Sequence, residues 1–311
     1  MTKFTLIFAI VTALSGLLLM GGGCGGSKSL ATMSAHEFYD LGMHEYDKGR
    51  YYKAIDYFQS VVFNYPGESI VDTAQYYLGL SYFSNKDYEL AGAEFNRLVI
   101  NYPASAFFEQ AVYMRAVSHF YATPGNYGLD QNDLHEAIRQ FEDFLTDFPE
   151  SELIEDVQSH LSQARMRLAR KYYESGVIYS RMRALEAART YFQIVIDDYT
   201  DTEYGARASY QYAEMEFRLK HFDQAHQKFR DFQIVFPEHE WVKKAQRRTV
   251  RAAFRSGEVA FEKGDYALAE KKFEEFRADY PDDKRTKKAD RYLEKIRRAT
   301  QQTRQSDENE S

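Results

Sequence analysis

A thirteen-residue segment that recurs six times without a gap is the feature that most constrains this chain. The copies read AIDYFQSVVFNYP, AGAEFNRLVINYP, AIRQFEDFLTDFP, ARTYFQIVIDDYT, AHQKFRDFQIVFP and AEKKFEEFRADYP. Each begins with alanine and has phenylalanine four residues later, so a small and a large side chain share one helix face. The phenylalanines are Phe58, Phe95, Phe141, Phe192, Phe229 and Phe273. Five copies end in proline, which cannot continue a helix, so each copy predicts one helix and its end.

A second helix is predicted in front of each copy, because another small residue stands twelve positions before the alanine in five copies. These residues are Gly42, Gly79, Gly176, Ala213 and Gly257. Ala116 takes this role in the third copy, where a turn-forming run around residues 123–126 adds an exposed loop. The spacing resembles the tetratricopeptide repeat, in which pairs of antiparallel helices stack on one another. The predicted fold is therefore all-α, a right-handed superhelical solenoid of about six tetratricopeptide-like helical hairpins.

Insertions between the copies predict how the solenoid is divided. Residues 34–150 hold the first three repeats, and residues 151–237 hold repeats four and five. The fourth first helix is lengthened by about four turns, which predicts a long spine helix over residues 152–182. Residues 238–300 form the sixth repeat and a basic capping helix. Residues 301–311 contain no apolar side chain, which predicts a disordered tail.

The N-terminus has the layout of an export signal: Lys3, then an apolar stretch over residues 4–20, then three glycines before Cys24. A membrane-spanning helix is the alternative, but the stretch is short for a span. Cys24 is the only cysteine, which excludes an internal disulfide and a metal site built on thiolates. The segment resembles a bacterial lipoprotein signal. That resemblance implies a signal peptide over residues 1–23, palmitate-type acylation of Cys24, and a linker over residues 24–33.

No constellation of residues predicts catalysis or a metal site. No phosphate-binding loop and no HExxH motif occur, and His221 and His226 are five positions apart, which is wrong for two ligands on one helix face. The formal net charge of −7 argues against a general nucleic-acid binder. We therefore predict a protein that is not an enzyme and that needs no cofactor, metal or nucleic acid.

Two surfaces are candidates for binding other proteins. Aromatic residues recur at two positions of the first helices in the N-terminal half, and they predict a groove for an extended apolar peptide. They are Tyr39, Tyr46, Tyr76, Phe83, Tyr113 and Phe120. The alternative is that these rings only pack between repeats. At the basic C-terminal end, Lys243, Arg247 and Arg251 predict docking to an acidic partner domain or an anionic lipid surface, whereas solvated helix faces are the alternative.

The leader, the repeats, the sequence Tyr113-Met114-Arg115-Ala116 and the run RLARKYYESGVIY over residues 167–179 together resemble the BamD family, also called the YfiO or ComL lipoproteins. The resemblance covers about residues 35–236. It implies a periplasmic protein, held to the inner leaflet of the outer membrane, that takes part in folding β-barrels into that membrane. It further implies that the N-terminal repeats recognise C-terminal signals of unfolded barrel proteins, while the C-terminal repeats dock on the BamA subunit.

A second resemblance leads to a different function. CpoB, a tetratricopeptide protein associated with Tol-Pal and linked to peptidoglycan synthesis, is a periplasmic coordinator of the cell envelope. That family has a coiled coil before its repeats and no lipid anchor. Here the first hairpin begins at Ser34, almost directly after the leader, and Cys24 predicts an anchor. The sequence therefore favours the BamD family.

Overall fold

The computed structural model describes residues 32–310, with side chains up to Gln302. The predicted signal peptide, Cys24 and nearly all of the predicted linker lie outside the described residues. Between residues 32 and 310 the chain forms thirteen helices and no strand. The helices are α1 (Ala35–Asp47), α2 (Tyr51–Asn64), α3 (Val71–Ser84), α4 (Tyr88–Asn101), α5 (Phe108–Ala122), α6 (Asn132–Asp147), α7 (Ile154–Arg181), α8 (Leu185–Asp198), α9 (Glu203–Arg218), α10 (Phe222–Val235), α11 (Val242–Glu262), α12 (Tyr266–Asp279) and α13 (Thr286–Glu310).

Consecutive helices pack on one another along the whole described chain, which gives six hairpins from α1–α2 to α11–α12, with α13 packed against α12. We call the odd-numbered member of each hairpin its first helix. Contacts between first helices of successive hairpins join α1 to α3, α5 to α7, and α7 to α9. First helices of neighbouring hairpins therefore lie side by side at these three junctions, in what we call the first-helix layer. The predicted all-α solenoid of helical hairpins is confirmed.

Each hairpin is closed by the phenylalanine of its second helix, whose ring lies against the small residue of the first helix. A Cβ atom added to Gly79 would lie 2.7 Å from the Phe95 ring, and one added to Gly176 would lie 2.7 Å from the Phe192 ring. The equivalent pairs are Gly42 with Phe58 and Gly257 with Phe273. All of these rings are fully buried. The repeated small residue is thus explained by the space that an aromatic ring needs between two helices.

The start of the solenoid is fixed by hydrogen bonds around Ser34. Its hydroxyl accepts a bond from the Glu37 amide at 3.3 Å, while the Glu37 carboxylate accepts one from the Ser34 amide at 2.9 Å. This reciprocal capping box satisfies two amide groups that a helix start leaves unpaired. One residue earlier, the carbonyl of Met33 accepts a hydrogen bond of 2.6 Å from the Tyr65 hydroxyl. The chain therefore enters α1 beside the C-terminal end of α2.

The 28 residues of α7 make it the longest helix of the solenoid, about 42 Å in length. The helix covers Ile154–Arg181, which is almost the range of residues 152–182 predicted for the spine helix. Arg167 of α7 donates hydrogen bonds to the carbonyls of Phe120, Thr123 and Pro124 at 3.1, 3.1 and 3.2 Å. The loop after α5 is exposed at residues 124–126, as expected, but it is also tied to the spine. The inserted segment is therefore part of the junction between the third and fourth hairpins.

The C-terminal tail differs from expectation. Composition predicts disorder over residues 301–311, whereas the structure continues α13 to Glu310. Up to Gln302, the last buried apolar side chain of α13 is Ile296. Glutamine, arginine and glutamate have good helix propensity, which supports continuation of an established helix. The prediction of disorder rested on the lack of apolar residues, and it does not match the helical backbone of residues 301–310.

Candidate functional site

The predicted aromatic residues of α1 and α3 lie where the first two hairpins meet. Tyr39 and Tyr46 both make T-shaped contacts with Tyr77, with ring centroids 6.1 and 5.7 Å apart. Tyr76 stacks almost parallel on Phe107, at the start of α5, with centroids 4.6 Å apart. Each first helix therefore presents rings that touch the next hairpin.

The remaining predicted residues join the second, third and fourth hairpins. Phe83 lies 5.5 Å from the ring of Tyr121, a perpendicular contact between α3 and α5. Tyr113 and Phe120 both pack against His160 of α7, at 5.9 and 5.5 Å between ring centroids. Tyr121 also reaches His160, at 6.3 Å. The aromatic residues thus continue from α1 to the spine helix without leaving the first-helix layer.

Exposure separates Phe120 from the other five predicted residues. Phe120 is only 6% exposed and lies under the guanidinium of Arg167, which is 5.0 Å from the ring centroid. The others are partly exposed: Tyr39, Tyr46, Tyr76, Phe83 and Tyr113. These rings therefore pack between repeats and also present part of their surface. Phe120 packs in the core of the third hairpin instead.

Three aromatic residues of this region were missed in the sequence. Tyr77 and Phe107 contact the predicted rings, and Tyr121 is 46% exposed, more than is usual for an aromatic residue with so many neighbours. The sequence pattern followed two fixed positions relative to the small residue, and Tyr121 stands one position beyond the second of them.

We define the aromatic surface as the partly exposed rings of this layer. Its members are Tyr39, Tyr46, Tyr76, Tyr77, Phe83, Phe107, Tyr113 and Tyr121.

Four tyrosine hydroxyls of the aromatic surface, those of Tyr39, Tyr46, Tyr76 and Tyr113, are neutral near pH 7. Burial raises the pKa of Tyr113 to about 12, and it also raises the pKa of Tyr39, Tyr46 and Tyr76. A phenol that stays protonated can donate a hydrogen bond while its ring contacts apolar groups. The aromatic surface can therefore contact both the side chains and the backbone carbonyls of a bound peptide.

At the other end of the chain, the basic residues of α11 fall into two rows with different surroundings. Lys244 lies 4.6 Å from the Tyr210 ring centroid, and Arg248 pairs with the buried Glu214 at 2.5 Å. This row holds α11 against α9. The predicted row, Lys243, Arg247 and Arg251, is exposed along one face.

The exposed row makes few interactions within the part of the chain that the structure describes. Lys243 and Arg247 have no carboxylate within ion-pair distance there, and Arg251 lies over the Phe217 ring at 5.3 Å. Cations at every fourth residue share one side of a helix. The row, which we call the α11 basic face, is therefore available to an acidic partner.

One basic residue of α13, Lys288, has a structural role. Glu258 of α11 is 4% exposed and accepts hydrogen bonds from Lys288 of α13 and from Arg255, each at 2.6 Å. Burial opposes ionisation of Glu258, but these two hydrogen bonds outweigh it and lower the pKa of the carboxyl group. The charged pair therefore fastens the capping helix to the sixth hairpin.

The side chains described by the structure, over residues 32–302, include no cluster of three or more histidine, cysteine, aspartate or glutamate residues suited to a metal ion. Over the same residues, none of the helices has the length and the apolar composition needed to cross a bilayer.

Stacked hairpins, each closed by an aromatic ring on a small residue, define a protein of the tetratricopeptide-repeat class. A tetratricopeptide repeat model matches residues 251–283, in the sixth hairpin. The model of the YfiO family, described as an outer membrane lipoprotein, matches residues 31–208. Because that match covers more than half of the chain, the chain belongs to the YfiO family, and the resemblance read from the sequence is confirmed.

A curated relative agrees with this assignment. The outer membrane protein assembly factor BamD of Rickettsia prowazekii (strain Madrid E) is 28% identical over 239 residues, which cover 75% of this chain and 95% of the relative. Among solved structures, the TPR2AB domain of yeast Sti1 is 14% identical and covers 84% of this chain and 98% of its own, with a TM-score of 0.36. A TPR repeats protein of Bacteroides fragilis NCTC 9343 is 11% identical, with 86% and 100% covered and a TM-score of 0.36.

Proposed function

We propose that this chain is a non-enzymatic scaffold of outer membrane protein assembly. It is held by acylated Cys24 to the periplasmic face of the outer membrane, where it binds unfolded β-barrel proteins and a BamA-like subunit. Membership of the YfiO family and the likeness to BamD support the proposed location at the outer membrane and the role in protein assembly there. The observation that carries the proposal is a partly exposed aromatic surface on the hairpins before α7 and, on a hairpin after α7, a basic face without ion pairs among the described residues.

The aromatic surface suits the C-terminal signal of an unfolded barrel protein. An extended peptide offers apolar side chains on alternate positions and free backbone carbonyls between them. Tyrosine rings with neutral hydroxyls can contact both kinds of group, and their side chains lose little entropy on binding. Tyr121 and Phe83 form an exposed pair that could take an aromatic terminal residue by edge-to-face contact.

We expect replacement of Tyr76 and Phe83 by alanine to weaken binding of a peptide ending in an aromatic residue by about tenfold or more, with little dependence on salt. Titration of a fluorescent peptide against each variant measures this effect. Tyr266→Ala is a matched control, because Tyr266 is 36% exposed and lies on α12, away from the aromatic surface. A thermal melt verifies folding, since Tyr76 also packs on Phe107. Folded variants that bind as the wild type does would show that the rings serve only repeat packing.

The α11 basic face suits an acidic domain of the barrel-assembly subunit. We expect charge reversal at Lys243, Arg247 and Arg251 to weaken docking of the isolated periplasmic region of that subunit, mainly at low salt. Exposed charges are screened beyond about 8 Å at physiological ionic strength, so the effect should shrink as salt is added. Surface binding measured over a salt series tests this. Reversal of the exposed cations Lys53, Lys86 and Arg181 changes the net charge equally and should leave docking unchanged; an equal loss in both triple variants would contradict a specific face.

A further inference from the structure

Exposed apolar side chains occur at one end of the first two hairpins. Phe63 in the last turn of α2 is 62% exposed, and Ile100 in the last turn of α4 is 66% exposed. Both stand three residues before the proline that follows the second helix, so they occupy the same place in successive repeats. The same place holds Thr146 in the third repeat and Asp197 in the fourth. The fifth repeat has Ile234 at this place, 72% exposed, and the sixth has Ala278. Among the described repeats, only the first two hairpins therefore place large exposed apolar residues here in succession.

The segment that leads to Cys24 leaves the solenoid at the same edge. The Met33 carbonyl is hydrogen-bonded to the hydroxyl of Tyr65, two residues after Phe63. Cys24 precedes Met33 by nine residues, and a fully extended chain of that length reaches about 30 Å. Any bilayer that holds a lipid on Cys24 is therefore within about 30 Å of Met33, and a less extended segment would bring it closer.

Charge also distinguishes this edge from the rest of the solenoid. The connection after α2 begins Pro-Gly-Glu-Ser at residues 66–69, and the one after α4 begins Pro-Ala-Ser-Ala at residues 103–106. The next connections, over residues 149–152, 200–203 and 237–240, each hold two acidic residues. Carboxylates are repelled by anionic lipid and lose hydration at a bilayer surface. The first two hairpins alone combine exposed apolar residues with few acidic groups here.

We propose that this edge, formed by Phe63, Ile100, Ala104 and Ala106, rests on the phospholipid surface beside the acylated N-terminus. We call it the anchor edge. The inference rests on the proposed lipid attachment of Cys24 and adds a second point of contact. Attachment through two signals is far more stable than through one. Contact along the anchor edge would also set the orientation of the solenoid, with the hairpin turns pointing away from the membrane.

The single native cysteine makes the test direct. With Cys24 acylated, a cysteine placed at Phe63 or Ile100 is the only free thiol, and it can carry an environment-sensitive fluorophore. Each labelled lipoprotein is reconstituted into vesicles of phosphatidylethanolamine and phosphatidylglycerol that contain a phospholipid with a nitroxide near the headgroup end of its acyl chain. Tyr52→Cys is the matched control: Tyr52 is a 72% exposed aromatic residue at the opposite end of α2, about 16 Å from Phe63 along the helix.

We expect at least twofold stronger quenching at positions 63 and 100 than at position 52. Equal quenching at all three positions, in protein that floats with the vesicles, would overturn the anchor edge while leaving the lipid anchor intact. Protein that does not float with the vesicles and carries no lipid mass would overturn the anchor itself, and the inference with it. Because Phe63 and Ile100 are exposed, their replacement leaves the core of each hairpin unchanged.

Discussion

Replacement of Phe95 by alanine is expected to lower the free energy of unfolding by about 3–5 kcal/mol. The ring is fully buried between α3 and α4, where it contacts Gly79 and lies 5.8 Å from the Tyr76 ring. Removing it loses its transfer free energy and leaves a cavity that two helices cannot easily close. Phe229→Ala, in the fifth hairpin, should have a similar effect because that ring is equally buried. Denaturant melts of both variants measure the loss.

Two further variants make this prediction specific. Phe63→Ala removes an exposed ring and should change stability by only a few tenths of a kcal/mol. Gly79→Ala should destabilise the wild type, because the new methyl group would lie 2.7 Å from the Phe95 ring, yet it should stabilise the Phe95→Ala variant by filling part of its cavity. Additive effects of Gly79→Ala and Phe95→Ala would mean that the two residues do not share one site.

Loss of the lipid anchor is expected for Cys24→Ser. The thiol is the only one in the chain, and a hydroxyl cannot form the thioether by which lipoproteins are acylated. The variant should therefore appear in the soluble fraction or keep its leader uncut. Membrane fractionation with intact-mass measurement distinguishes these results, and Ser27→Ala, three residues away, should behave as the wild type. A mature wild-type chain without added lipid mass would contradict the lipid anchor and leave the solenoid unaffected.

The fold could be predicted from the sequence because its determinants are local and repeated. Gly79 and Phe95 are sixteen residues apart, and the same pair recurs in other hairpins, so the pattern itself predicts which side chains meet. The long helix α7 could be predicted because an insertion of whole turns keeps the buried face in register. The C-terminal part of α13 could not be predicted in this way. A lack of apolar residues indicates that a segment adds nothing to a core, but it gives no information on the helix propensity of the polar residues.

The candidate sites depend on contacts between elements, and these were harder to predict. Phe120 has the right repeat position for the groove, but Arg167 from the inserted part of α7 covers its ring. Lys243 and Lys244 look alike in the sequence, and only the position of the Tyr210 ring shows that Lys244 is structural. Tyr121 was missed because it stands one residue beyond the second recurring position, and only the packing of α5 on α3 shows that it lies beside Phe83.

The central claim is that two different partners occupy the two ends of this chain, and photo-crosslinking in intact envelopes tests it most directly. A photoreactive amino acid is placed at Tyr121 on the aromatic surface in one strain and at Arg247 on the α11 basic face in another. We predict that position 121 forms adducts with newly exported barrel proteins, while position 247 forms adducts with the barrel-assembly subunit, as identified by mass spectrometry. Adducts with the same partner at both positions, or adducts only with proteins unrelated to barrel assembly, would contradict the account.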